Sequence, residues 1–182
     1  MIDSLNIAKV SSFGHGLFLK CAGEEGIVKV FHFSYDLDTE EYVISEIHNK
    51  KLQSEYQPFF ADLNGDFLPD LLFNGEGGIR VAFQTKNPHE YLVRPFDDFL
   101  ANIVHGFTCL NEGLNHERKL SMPSSSAFTD FDGDCIPDLL LITWDERKSE
   151  HVLELYHQSE SDGSELVPRL CLIRRAPLPK GV

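Results

Sequence analysis

The feature that most constrains this chain is an acidic loop that it carries twice. "DLNGDFLPDLL" starts at Asp62 and "DFDGDCIPDLL" starts at Asp130. Counted from the first aspartate, oxygen-bearing side chains fall at positions 1, 3, 5 and 9. They are Asp62, Asn64, Asp66 and Asp70 in one copy, and Asp130, Asp132, Asp134 and Asp138 in the other. Both copies have glycine at position 4 and leave through Pro-Asp-Leu-Leu into an apolar strand. Carboxylates crowded this closely repel one another, so the pattern calls for solvent or for a cation. Alternate positions of a tightly turning loop point inward together, and Gly65 and Gly133 permit the positive φ that the turn needs. The backbone carbonyls of Leu68 and Ile136, at position 7, would each add a ligand. A shell made only of oxygen and rich in negative charge suits calcium, whereas zinc and copper favour histidine and cysteine. We therefore expect one Ca2+ in each loop. Asp, Asn and Gly are also ordinary turn formers, and one such loop alone would be compatible with a metal-free turn. The same spacing, glycine and exit in two copies favour the ion. An EF-hand is excluded, because it needs Gly at position 6 and Glu at position 12 between two helices. Here those positions hold Phe67 and Phe73, then Cys135 and Leu141.

The loops belong to a longer repeat. "PFFADLNGDFLPDLLFNGEGGIRVAFQ" (58–84) aligns with "SAFTDFDGDCIPDLLLITWDERKSEHVLELYHQ" (126–158). Each reads as a short strand, the acidic loop, a strand, a polar turn and another strand. A fainter copy, "GLFLKCAGEEGIVKVFHF" (16–33), matches only the second half of the unit, with "SSFGHG" in place of the acidic loop. A further strand follows each hairpin: "EYVISEI" (41–47) in the first unit, "PRLCLIRR" (168–175) in the third, and one within 99–122 in the second. Helical periodicity is scarce, and only "PFDDFLANIVHGF" (95–107) has room for a helical turn or two. The expected fold class is all-β, with antiparallel four-stranded units of the kind that form the blades of a β-propeller. The units would be 1–57, lacking the acidic loop, then 58–125 and 126–182. Three blades do not close a ring, so the chain is expected to be a piece of a longer array.

The motif Phe-x-Asp-x-Asn/Asp-Gly-Asp-x-x-Pro-Asp followed by an apolar strand resembles the FG-GAP/VCBS repeats of integrin-α-type β-propellers. Two segments, "QPFFADLNGDFLPDLLF" (57–73) and "ERKLSMPSSSAFTDFDGDCIPDLLLITW" (117–144), are similar to the T-cell immunomodulatory protein family, also called integrin-α FG-GAP repeat-containing proteins. The resemblance spans about residues 55–160 and loosens on either side. It implies a non-enzymatic, calcium-stabilised segment on the extracellular side of a single-pass membrane glycoprotein. Its partner would be a protein at the cell surface, with a role in adhesion or immune-cell modulation. Unlike that family, the chain shows no signal peptide, no apolar run approaching a membrane span and no Asn-x-Ser/Thr acceptor. Direct insertion of this segment into a membrane is therefore not expected.

Charge and the remaining residues narrow the alternatives. With 29 acidic against 16 basic residues and a net charge of −13, the chain does not offer the positive face that nucleic acid requires. The four cysteines (Cys21, Cys109, Cys135, Cys171) form no CxxC pair, which argues against zinc, and their disulfide pairing cannot be read from spacing. Cys135, inside the second loop, reads as a small buried hydrophobe, with a disulfide or a redox-sensitive neighbour of the ion as alternatives. The eight histidines show no HExxH or HxH pattern and are read as ordinary strand or surface residues. "GEGG" (75–78) precedes a strand rather than a helix, "SSS" (124–126) lacks a nucleophile-elbow context, and "DTEE" (38–41) and "DD" (97–98) read as solvated loops. Trp144 reads as packing. A calcium-dependent propeller enzyme, a polysaccharide lyase or glycosidase, is the alternative function. It would require acids with a Tyr or His in a central channel, and no such pair is marked in the sequence.

Overall fold

The computed structural model describes residues 2–11, 14–22, 28–36, 39–46, 58–85, 91–104, 107–111, 114, 118–121, 126–159 and 168–179. They are almost entirely β-structure. The strands are β1 (Ile2–Ser11), β2 (Gly14–Ala22), β3 (Val28–Asp36), β4 (Glu41–Glu46), β5 (Phe59–Ala61), β6 (Asp70–Gly75), β7 (Gly78–Gln84) and β8 (Tyr91–Pro95). After a 3-10 turn at Phe96–Phe99 come β9 (Ile103–Val104), β10 (Phe107–Thr108), β11 (Lys119–Leu120), β12 (Ala127–Thr129), β13 (Asp138–Asp145), β14 (Glu150–Ser159) and β15 (Arg169–Pro177). Among the described residues no helix is long and apolar enough to cross a membrane.

The chain divides into two compact units, Met1–Gly75 with Arg80–Arg94, and Glu76–Ile79 with Pro95–Val182. In the first unit, β1-β2-β3-β4 and β5-β6-β7-β8 are four-stranded sheets whose spatial order is their chain order. Such up-and-down order follows from short connections, which can join only antiparallel neighbours. The first sheet contains a strand that the repeat alignment did not supply. β1 lies antiparallel to β2, with Ser11 opposite Gly14, where the other repeats carry the acidic loop. The fourth strand of the second repeat is β8, at Tyr91–Pro95, and not within 99–122 as expected. The "GEGG" stretch is the β6–β7 hairpin turn, with Gly77 and Gly78 at positive φ. The Thr39–Glu41 part of "DTEE" is exposed, as a solvated turn should be. β6 is buried at four successive positions, Asp70–Phe73, the signature of a strand covered on both faces.

The second unit centres on the sheet β11-β13-β14-β15, with β12 also paired to β13. Two short strands therefore share one edge of β13: Ala127–Thr129 lie opposite Leu140–Asp138, and Lys119–Leu120 lie opposite Trp144–Thr143. The residues around β9 and β10 are fastened to β15, on the other edge of the sheet. Ala101 N–H donates to the Leu170 carbonyl (2.9 Å), Leu110 N–H donates to that of Leu172 (2.7 Å), and Cys109 is disulfide-bonded to Cys171. Trp144 is half-buried and meets the His151 ring edge-on at 4.8 Å, which agrees with packing.

A buried polar cluster joins these strands. Arg118, 1% exposed, donates to Glu154 (Nε–Oε2 3.2 Å), Asp97 (Nη1–Oδ1 2.9 Å) and the Tyr156 hydroxyl (3.2 Å). Tyr156 Oη donates in turn to Glu154 Oε2 at 2.8 Å. Arg175 reaches the other oxygen of Glu154 (3.2 Å) and Asp145 (2.7 Å). Phe96 stacks edge-on against Tyr156 and lies under the Arg118 guanidinium. Burial alone would make Arg118 easier to deprotonate, but Tyr156, Glu154 and Asp97 outweigh it and hold the guanidinium charged. Glu154 thus stays fully buried between two arginines, an arrangement that buried carboxylates require.

Candidate metal centre

The two acidic loops, one in each unit, fold alike. In the first, Asp62 at position 1 accepts the backbone N–H of Gly65 (2.8 Å) and Asp66 (3.1 Å) on Oδ1 and of Phe67 (2.9 Å) on Oδ2. In the second, Asp130 accepts Gly133 N–H on Oδ1 (2.6 Å) and Cys135 N–H on Oδ2 (3.0 Å). The position-5 carboxylates, Asp66 and Asp134, each accept the N–H of position 7, Leu68 and Ile136, at 2.8 Å. The position-3 oxygens of Asn64 and Asp132 each accept the N–H of position 5 at 3.2 Å. Position 9 closes each loop onto the sheet. Asp70 accepts Leu63 N–H (2.9 Å) and Gln84 N–H (3.1 Å), and Asp138 accepts Phe131 N–H (3.1 Å) and Gln158 N–H (3.2 Å).

This geometry explains the residue types. Short acidic side chains satisfy backbone donors that a reversing loop leaves without a ladder partner. Gly65 and Gly133 adopt φ of 74° and 83°, and position 6 is left-handed too, with φ of 64° at Phe67 and 70° at Cys135. Large side chains rarely accept that conformation. Here the cap from the position-1 aspartate holds it in place. Cys135 consequently points outward: it is a free, exposed thiol, and the expectation of a small buried hydrophobe is corrected. Phe67, its counterpart, is also exposed.

All ten residues singled out in the sequence lie in these loops, with Asp70 and Asp138 buried and Leu68 and Ile136 half-buried. In the second loop Asp130, Asp132 and Asp134 each place a carboxylate oxygen within 4.8 Å of the others. Oxygens about 2.3–2.6 Å from a common calcium ion span up to about 5 Å, so this set fits the ion. In the first loop Asn64 replaces one carboxylate and its amide donates to Asp66 (3.1 Å). Tyr91 stands near Asp70 with its hydroxyl buried and without a hydrogen-bond partner among the described residues, an orphaned oxygen beside the loop. Sequence reasoning passed over two neighbours, Tyr91 and His157. The repeat alignment held a signal for the second, since it sets Gln158 against Gln84 and therefore His157 against Phe83. The other histidines at 48, 89, 105 and 116, and Ser124 and Ser125, lie outside the described residues.

Electrostatics of the first loop yield a pH prediction. Burial pushes the Asp70 carboxyl up to about 8, against the opposing pull of the Leu63 and Gln84 N–H groups, and nearby Asp66 and Asp62 add to the rise. Asp62 is also raised, chiefly by burial. A carboxyl raised in the folded state favours folding at low pH. In the metal-free protein that contribution is complete below the unfolded value of about 4 and is lost as pH rises to about 8. A cation at Asp70 must displace the proton below that upper value. A calcium ion held by this loop would therefore bind up to about tenfold more weakly per pH unit below about 8 and release close to one proton at neutral pH. Calorimetry in buffers of different ionisation enthalpy measures that release, and a pH-independent affinity between 6 and 8 would contradict it.

Fold and site together define an all-β chain of antiparallel sheets bearing a pair of matched acidic hairpin loops. Compared with protein-family models, with curated proteins and with solved structures, the chain matches none.

Proposed function

We propose that this chain is a calcium-stabilised, non-enzymatic segment of an extracellular β-propeller that takes part in protein–protein interaction at the cell surface. The observation that carries the reading is the duplicate loop. Two segments far apart in the chain adopt one hydrogen-bonding scheme, each between the first and second strands of its repeat, with oxygen donors at the same four positions. In this reading Asp62, Asn64, Asp66, Asp70 and the Leu68 carbonyl hold one Ca2+. Asp130, Asp132, Asp134, Asp138 and the Ile136 carbonyl hold the other. The ion offsets carboxylate repulsion and fixes each hairpin, so its role is structural. The sequential four-stranded sheets are the form a propeller blade takes, and the likeness of the motifs to FG-GAP/VCBS repeats points to adhesion or immune-cell modulation. The Cys109–Cys171 disulfide supports an oxidising, extracellular setting.

Calorimetric titration of the purified chain should show two calcium sites with Kd in the range of about 10⁻⁵ to 10⁻³ M. Asp130→Ala should abolish one and spare the other. A folded protein that gives no heat up to about ten times the upper limit of that range would refute the calcium reading. Calcium-dependent retention of the labelled chain on cells, lost with chelator, tests the surface role. Turnover of a polysaccharide panel would instead favour the lyase or glycosidase alternative.

A further inference from the structure

We infer that the second loop, unlike the first, holds a divalent transition cation of the zinc class through His157 Nδ1, Asp138 and Asp132. His157, on β14, is 12% exposed, and its Nδ1 lies 3.1 Å from Asp138 Oδ1 and 3.2 Å from Asp132 Oδ2. One atom from each of the three residues falls within 4.8 Å of the other two. Two ligands each about 2.0 Å from a tetrahedral zinc are separated by about 3.3 Å, which both imidazole–carboxylate distances match, and the Asp132 and Asp138 oxygens stand within 4.8 Å of each other. Asp138 is 1% exposed and its carboxylate is already oriented by the N–H groups of Phe131 and Gln158, the outer support that ligating carboxylates usually have. Asp132 is half exposed, which leaves the outer side of the cluster open to a water ligand.

The first loop serves as an internal control. It has the same backbone scheme and the same buried position-9 aspartate, yet carries Phe83 where the second has His157. The fold of the motif therefore does not require the imidazole. Adding a nitrogen donor to an oxygen set shifts preference from calcium towards borderline cations such as zinc or cobalt. The four-cysteine argument against zinc does not reach this site, which uses no sulfur. Asp132 and Asp138 both belong also to the calcium set proposed for this loop, and Asp132 to the Asp130–Asp132–Asp134 group, so the two cations either share these carboxylates or exclude each other. The inference uses the loop geometry and does not depend on calcium binding.

The test uses the 182-residue chain with Cys135→Ser, which removes the exposed thiol as a competing ligand. Zn2+ titration by calorimetry and Co2+ titration by visible absorption should each give one site. His157→Phe, which copies the first loop, should weaken that site at least about 100-fold, since losing a direct ligand exceeds the 10–100-fold typical of outer-shell changes. Calcium binding at the first loop should be unchanged in the same variant, which also shows that it is folded, and His157→Gln should repeat the loss. Absence of zinc binding, or zinc binding that survives both substitutions, would overturn the inference even if calcium binds. Zinc binding lost in both, with no calcium binding anywhere, would uphold it while refuting the calcium reading; folding is then checked by circular dichroism.

Discussion

Replacing Arg118 by alanine is expected to destabilise the second unit by about 3–5 kcal/mol, the usual result of breaking a buried ion pair from one side. The loss is large because the guanidinium serves two buried oxygens, on Glu154 and Tyr156, and the half-buried Asp97 carboxylate at once. Without it Glu154 keeps Arg175 and the Tyr156 hydroxyl among the described residues, and Asp97 loses its ion pair with Arg118. The cation over Phe96 disappears too. Substituting Arg118 and Glu154 together by apolar residues of similar volume should cost less, since burying charges has its own penalty. Denaturant unfolding of Arg118→Ala beside Arg118→Met/Glu154→Leu measures both. A change below about 1 kcal/mol in the single variant, the size typical of an exposed pair, would show that the cluster is hydrated and weak.

Removing the disulfide with Cys109→Ser and Cys171→Ser should cost about 4 kcal/mol, the chain-entropy estimate for a bridge across a sequence separation of 62. Cys171 is wholly buried and Cys109 nearly so, and both contribute to a small core with Ala101 and Val104. The segment around β9 and β10 would still have the backbone bonds of Ala101 to Leu170 and of Leu110 to Leu172, but no covalent tie to β15. Thermal melting of the oxidised chain against the double serine variant, at matched calcium, checks the size of the effect. Equal melting curves would remove the bridge as a source of stability, and with it the disulfide's support for an extracellular setting.

What could be read from the sequence was whatever depends on neighbours along the chain. The Asp-x-Asn/Asp-x-Asp spacing, the glycine and the Pro-Asp exit act within nine positions, and the structure shows them satisfying one another's backbone donors. β-branched and aromatic runs divided by polar turns gave the strands for the same reason. The loss of the acidic loop between β1 and β2 was legible too, since "SSFGHG" stands in its place, whereas β1 itself was not, because the faint copy matches only the second half of the unit.

Side chains that meet across strands were decided by the tertiary structure. Along β14 apolar residues stand on both faces, Val152 and Tyr156 on one and Leu153 and Leu155 on the other, and it is the face with Glu154 that is fully buried. Alternation states only that two faces differ; the register with β13 and β15, together with a cation arriving from Arg118, determines which face is inward. The pairing of Cys109 with Cys171, the position of β8 and the meeting of His157 with Asp132 and Asp138 have the same origin. Each joins residues distant in sequence, and no local propensity encodes a distance that is set by how separate strands align. The chain alone therefore determined two acidic loops and an all-β fold. The sheets decided which histidine, which arginine and which cysteines stand together, because those contacts exist only once strand register is fixed.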